Sequence, residues 1–211
     1  MQNIRPPLPF AGHKGKWGHE LTELAKRIPQ NCTVIDVFGG SGVCAHFIKA
    51  ARPDLRVIWN DYDNYRARLD HARETELLRR RFIESIGRPP KRGQYVAALN
   101  DAEKSRVFEI IDHAFSEFGF VDHITISRWF YLYHSKGRRF LGRSGKMYNR
   151  VQSLPVRVHA CRSWLQNVER ASVLFQGMDT VFTTPHGTLS LHDFVESQNT
   201  LLILDPPYLG T

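Results

Sequence analysis

Apolar and polar positions along the chain follow two periods. Cys32 to Phe38 (CTVIDVF) and Leu55 to Asn60 (LRVIWN) are short, nearly unbroken apolar runs rich in β-branched residues, the pattern of buried strands. Between them lie a glycine-rich turn and Val43 to Ala51, whose spacing is helical, so the three together predict a β-α-β unit. A helix is expected ahead of this unit over Glu20 to Ile28, closed by Pro29. Beyond it, Asn64 to Ile86 is long and charged, with Leu69, Leu77, Leu78, Phe82 and Ile86 on or near one stripe. That stretch predicts one helix, stopped by Gly87 and the Pro89-Pro90 pair. Two further amphipathic helices are predicted over Ala102 to Phe118 and Asp122 to Tyr133, then a loop or hairpin from His134 to Pro155. Strand character returns at Ala171 to Gln176 (ASVLFQ) and at Thr200 to Leu204 (TLLIL), with a short helix expected from Leu189 to Ser197. The pattern is that of an α/β frame, residues 1–66 and 168–211, split by a mainly helical insertion at residues 67–167.

Composition narrows this picture. A chain of 211 residues and 24.4 kDa suits one compact domain, with or without a large insertion, and can bury a core. With 42% hydrophobic and 24% charged residues it is ordinary globular material, neither disordered nor fibrous. No apolar run approaches the roughly 18 to 20 residues that cross a bilayer. Met1 to Phe10 holds Arg5 and three prolines but no apolar signal core, so the chain is expected to stay in the cytoplasm. Cys32, Cys44 and Cys161 are odd in number and far apart, which reads as reduced, mostly buried thiols rather than a zinc site or disulfide framework.

Charge adds the first positive clue. The net charge of +8 and a pI of about 9.6 suit a polyanionic partner. From Arg128 to Arg170, ten cations (Arg128, Lys136, Arg138, Arg139, Arg143, Lys146, Arg150, Arg157, Arg162 and Arg170) face one acid, Glu169, so this stretch holds essentially the whole excess. It could follow a phosphate backbone while the remainder does something else. Trp129, Phe130, Tyr131, Tyr133, Phe140 and Tyr148 are interleaved with the cations and could stack on bases or wedge into a duplex. The plainer alternative is a solvated basic face over core aromatics. His46 and His113 read as structural or solvated groups.

Candidate chemistry lies at strand ends. The turn Asp36-Val37-Phe38-Gly39-Gly40-Ser41-Gly42 allows a tight strand-to-helix bend and lets a ligand approach N–H groups at a helix start. It lacks the full GxGxxG spacing and the P-loop Lys-Ser/Thr, which disfavours nicotinamide and nucleoside triphosphates. The second strand ends in Trp59-Asn60-Asp61-Tyr62-Asp63, placing carboxylates about twenty residues on, where an acid commonly binds ribose hydroxyls. Together these features suggest a nucleoside-bearing cofactor. The sharpest element is Asp205-Pro206-Pro207-Tyr208, directly after the apolar run Leu201 to Leu204. Consecutive prolines fix φ and remove two donors, leaving a stiff backbone with free carbonyls. An aspartate beside such a carbonyl can accept both protons of an exocyclic amine, and the following aromatic can stack on the ring that bears it.

Through these blocks the chain resembles the Dam-like DNA adenine methyltransferases, which use S-adenosylmethionine. Pro9-Phe10-Ala11-Gly12-His13-Lys14 is similar to their N-terminal WAGGK block, Asp36 to Gly42 to the EPFxGxG cofactor loop, Asn60-Asp61 to the ribose-binding acid, and Asp205 to Tyr208 to DPPY. Gln176-Gly177-Met178-Asp179, expected after a third strand, is similar to the GDF turn whose acid lies beside the cofactor's adenine. Phe130 to Arg143 (FYLYHSKGRRFLGR) has the aromatic and Gly-Arg pattern of the target-recognition region. The resemblance implies a Rossmann-like methyltransferase sheet with an inserted, mainly helical target-recognition region. It implies a cofactor site of Phe10, Ala11, Gly12, Lys14, Asp36, Phe38, Gly39, Gly40, Ser41, Gly42, Asp61 and Asp179. It implies a DNA surface of Arg128, Lys136, Arg138, Arg139, Arg143, Lys146, Tyr148 and Arg150. Asp36 stands where the family has Glu, and His13 where it has a second Gly. Family members continue past DPPY with a helix and three strands, so the sheet is expected to be truncated at Thr211.

The reaction implied is transfer of a methyl group from S-adenosylmethionine to the N6 amine of an adenine flipped out of double-stranded DNA. Asp205 and the Pro206 carbonyl would hold the amine's protons, Pro207 would stiffen the corner and Tyr208 would stack on the base. Lys14 would order the cofactor's methionine end and Asp61 its ribose; neither a metal nor a membrane is called for. The rival readings are transfer to cytosine N4 or to an RNA base, and an inactive remnant that binds cofactor or DNA.

Overall fold

The computed structural model of the chain describes residues 5–10, 12, 14–86, 99–130, 164–181 and 199–204. They belong to two compact units, residues 1–69 with 169–211, and residues 70–168.

The first unit is built on a parallel four-stranded sheet in the order β3-β2-β1-β4, with β1 Thr33–Asp36, β2 Arg56–Asn60, β3 Asp179–Val181 and β4 Thr200–Ile203. Val34 lies opposite Val57 on one side and Leu201 on the other, and Ile58 lies opposite Asp179. Burial of Val34, Ile35, Val57, Ile58 and Trp59 explains why both central strands read as unbroken apolar runs: parallel strands are covered on both faces. The chain steps outward from β1 through β2 to β3 and then lays β4 on the other flank of β1. The order therefore reverses between β1 and β4, the kind of position where open parallel sheets bind ligands beyond their carboxyl ends.

Helix α1 (Gly18–Lys26) follows a single 3₁₀ turn at Gly15–Trp17, and α2 (Val43–Ala51) carries the chain from β1 to β2. Arg52 ties the ends of α1 and α2 by donating to the Ile28 carbonyl (2.7 Å) while holding Asp54 in an ion pair (2.6 Å). The predicted β-α-β unit is thus present, with α2 at its predicted bounds.

Two predictions are corrected. Asn64 to Ile86 is not one helix but α3 (Tyr65–Asp70) and α4 (Ala72–Ile86), separated at His71. The break falls where the first compact unit gives way to the second. The His71 carbonyl accepts both the N–H and the hydroxyl of Thr75 (3.1 and 2.9 Å), and its ring stacks on Phe120 at 4.3 Å. Nor is Ala171 to Gln176 a strand. Helix α7 (Trp164–Ser172) runs into a 3₁₀ turn at Val173–Phe175, and the third strand begins only at Asp179. Trp164, Val168 and Phe175 are buried while Val173 is exposed, a helical stripe that prevails over the β-branched and aromatic composition of the segment.

The second unit is helical. Here α4, α5 (Asp101–Phe118) and α6 (His123–Phe130) bury Leu78, Phe82, Val107, Ile111, Ala114 and Ile126. The Asn100 side chain accepts the Glu103 N–H and the Glu103 carboxylate accepts the Asn100 N–H, both at 2.9 Å, a reciprocal cap on α5. Asp122 caps α6 through the Thr125 N–H (3.0 Å) and hydroxyl (2.6 Å). Tyr131 to Tyr133, the predicted hairpin at 134–155 and the predicted helix at 189–197 lie outside the described residues. Among the described residues no helix is long and apolar enough to cross a membrane.

The α5 cap yields a direct test. Asn100→Ala should cost about 1 kcal/mol in urea unfolding and Asn100→Gly only a few tenths, because glycine tolerates the cap conformation and leaves the amides to water.

Candidate functional site

The site begins where β1 ends. Asp36 is buried, and its Oδ2 accepts the Ala45 N–H at 3.3 Å, so a carboxylate nine residues upstream caps the start of α2. A helix N-terminus carries partial positive charge, and Asp36 complements it from within the protein. The bend between the two elements is tight: the Gly42 N–H donates to the Gly39 carbonyl at 2.7 Å, and Gly42 is the residue before the helix.

Two aromatic side chains explain why this bend is glycine. Register sets Trp59 of β2 opposite Asp36, and the fully buried indole lies against the loop. A Cβ on Gly39 would stand 2.8 Å from the Trp59 Nε1. Gly40, at φ +48°, has a left-handed conformation, and a Cβ there would meet the Phe10 ring at 2.7 Å. The bend is therefore pressed between Trp59 and Phe10, which belongs to the N-terminal segment.

What this leaves is a hollow, open to solvent, lined by Phe10, Gly12, Lys14, Phe38, Gly39, Gly40, Ser41, Val43 and Cys44. The N-terminal block and the glycine loop, each singled out in the sequence, face one space. Val43 and Cys44 were not singled out, although they open the helix after the loop and could have been found from that position. Trp59 gave no such signal, since its contact with Gly39 runs across the sheet. Both described cysteines, Cys32 and Cys44, are buried free thiols.

Asp61 and Asp179 have other partners. Asp61 is fully buried at the end of β2, with Oδ1 accepting the Tyr65 N–H and Oδ2 the Arg66 N–H, each at 2.6 Å, so its carboxylate caps α3. Burial pushes this carboxyl above its ordinary 3.8, while the Arg66 and Tyr65 N–H groups pull the other way. Asp179 opens β3 rather than following the third strand, and pairs with Arg56 at 2.8 Å on an exposed surface. Neither lines the hollow.

Of the residues assigned to nucleic acid, Lys136, Arg138, Arg139, Arg143, Lys146, Tyr148 and Arg150 lie outside the described residues; Arg128 falls in α6. Trp129 is corrected: it is 4% exposed and packs edge-on against Trp164 at 5.6 Å, so it is a core residue rather than a platform for bases. Ala11, His13 and the tetrapeptide Asp205, Pro206, Pro207 and Tyr208 also lie outside the described residues. His46 is buried against Phe47 and Phe175, and exposed His113 lies 3.3 Å from Glu117, in keeping with structural and solvated roles. Among the described residues no three His, Cys, Asp or Glu side chains gather as a metal site.

Compared with known proteins, the chain is 28% identical over 210 residues to a protein of Haemophilus influenzae (strain ATCC 51907 / DSM 11121 / KW20 / Rd) described as "Putative methyltransferase". The alignment takes in 97% of this chain and 64% of that protein, so the chain spans less than two thirds of its relative's length. No family model and no solved structure matches the chain.

The geometry makes two predictions. Gly40→Ala and Gly12→Ala both place a side chain at positive φ, which costs roughly 1 to 2 kcal/mol. Only Gly40→Ala also displaces the Phe10 ring, whereas Gly12 faces open space, so its urea midpoint should fall further; equal losses would remove the Phe10 contact from the account. Asp61 sets a pH dependence. The folded chain holds the Asp61 proton more tightly than the unfolded chain, a contribution to stability complete below 3.8 and lost as pH rises through the raised value. Asp61→Asn does not ionise, so its stability relative to the unsubstituted protein should improve as pH rises across that window, measured by urea unfolding at each pH.

Proposed function

We propose that the chain transfers a methyl group from S-adenosylmethionine to the N6 amine of adenine in double-stranded DNA. The observation that carries the reading is the shared hollow: Phe10, Gly12 and Lys14 from one block and Phe38 to Ser41 from another line the same space beside the end of β1. In the resembling enzymes these two blocks serve one cofactor. The description of the Haemophilus relative supports methyl transfer, and the parallel order β3-β2-β1-β4 supports a Rossmann-like sheet.

The lining suits this cofactor better than a nucleotide phosphate. Phosphates favour an open helix N-terminus, whereas α2 already has the Asp36 carboxylate at its start. Lys14 offers a cation for a carboxylate, and Phe10 and Phe38 offer apolar faces. When bound, S-adenosylmethionine supplies an electrophilic methyl group on a sulfonium. The capping of α3 by Asp61 and the ion pair of Asp179 support structural tasks for these acids rather than contacts to ribose and adenine.

The amine site of this proposal is Asp205 with the Pro206 carbonyl. Strands that pair in parallel leave a sheet at one edge; β4 pairs with β1, the Val37 N–H donates to the Ile203 carbonyl at 3.1 Å, and Asp205 is the second residue after β4. The adenine N6 lone pair is delocalised into its ring. Accepting both amine protons favours a tetrahedral nitrogen whose lone pair can attack, and stabilises positive charge developing there. Pro207 stiffens the corner, Tyr208 stacks on the flipped base, and the cations between Arg128 and Arg170 follow the phosphates.

Titration calorimetry with S-adenosylmethionine and tritium transfer to DNA, followed by analysis of the digest for N6-methyladenine, test the reading. Asp205→Ala should lower transfer by at least about 10²-fold while cofactor affinity holds. Retained transfer, or methyl on cytosine N4, would contradict the assignment. Replacing Arg138, Arg139 and Arg143 together by Ala should reduce the slope of log affinity against log salt by about 2 to 3. An unchanged slope would move the DNA surface elsewhere.

A further inference from the structure

The N-terminal segment that borders the hollow is held by two side chains of α3, Tyr65 and Arg68. The Tyr65 hydroxyl accepts the Leu8 N–H at 2.8 Å and donates to the Leu8 carbonyl at 3.1 Å, so both backbone polar groups of a buried residue close on one phenol. Arg68, one turn on, donates to the Pro9 carbonyl at 3.1 Å and lies over the Tyr65 ring at 5.1 Å. Phe10 meets the same ring edge-on at 5.8 Å and 81°, and its own ring covers Gly40. Tyr65 in turn is fixed at the start of α3 by the Asp61 carboxylate on its N–H. A continuous path of contacts thus leads from the end of β2 through Asp61 and Tyr65 to Leu8, and on to the aromatic wall of the hollow.

We propose that Tyr65 is a positioning residue for the cofactor, latching the segment 5–10 so that Phe10 is held against the hollow. The proposal rests on the reading of that hollow as the S-adenosylmethionine site. The Tyr65 hydroxyl acts through Leu8. A segment without regular secondary structure satisfies its backbone groups only through such partners, and Leu8 N–H and C=O would otherwise need water in a buried place. Loss of the phenol oxygen therefore favours states in which the segment lifts into solvent. A Tyr65 that merely filled the core would be replaced by phenylalanine without consequence for the segment or the ligand.

Tyr65→Phe keeps the ring against Phe10 and Arg68 and removes the hydroxyl that bonds Leu8. Hydrogen exchange of the ligand-free protein, read by mass spectrometry on peptides covering residues 5–10, should quicken by about tenfold or more, with peptides of β1 and α2 unchanged. S-adenosylmethionine affinity by calorimetry should weaken by about tenfold, because only the closed fraction of the protein binds. Arg68→Gln, which removes the bond to Pro9, should move both readouts in the same direction. Unchanged exchange at residues 5–10 in Tyr65→Phe would overturn the latch. Faster exchange with unaltered affinity would overturn its link to the cofactor. No binding of S-adenosylmethionine by the unsubstituted protein would overturn the cofactor reading itself, with the exchange difference still deciding whether Tyr65 holds the segment.

Discussion

β1 leaves the middle of a parallel sheet with Asp36 buried and its carboxylate on the Ala45 N–H, and this contact fixes where the chain turns and where α2 starts. A buried carboxylate without a partner would be costly, so the strand end and the helix start are bound to each other. With both ends anchored, only a short glycine-rich bend connects them. Trp59 on one side and Phe10 on the other then leave that bend no room for side chains at Gly39 and Gly40. The hollow is what remains above it.

This arrangement also sets the electrostatics of the site. α2 points its positive end at the hollow, but the protein has supplied the counter-charge itself. Glycine-rich loops after a first strand commonly receive phosphate at the same place, and here a fixed carboxylate stands in the way. Lys14 brings a cation from the N-terminal side.

The two compact units differ in chemistry as well as in architecture. One is a sheet with a glycine-rich bend and a hollow at its carboxyl edge; the other is helical, with a reciprocal cap on α5 and an ion pair between Arg81 and Glu117. The basic excess begins at the end of α6, but the aromatic next to it, Trp129, serves the helical core. An indole set edge-on against another indole gains more from burial than from exposure.

The sequence by itself determined the elements of the central frame. β1, α2 and β2 were legible because each buries its face continuously, and continuous burial leaves a period in the chain. The pairing of Phe10, Gly12 and Lys14 with the Gly39 to Ser41 bend was legible through motif resemblance, and the hollow brings those residues together. Periodicity records that a face is buried but not what buries it. The stripe from Leu69 to Ile86 therefore gave no sign of the break at His71, where the chain passes between units and the ring stacks on Phe120. The β-rich composition of Ala171 to Gln176 likewise hid the helical stripe ending at Phe175, whose burial against His46 depends on a distant helix. Asp61 shows the same limit at the level of chemistry, since nothing in its strand-end position announced that its carboxylate accepts two backbone amides of α3. Only the tertiary structure decided these points, because a side chain's partner is whichever group the fold brings within about 3 Å, and that distance is written nowhere in the order of residues.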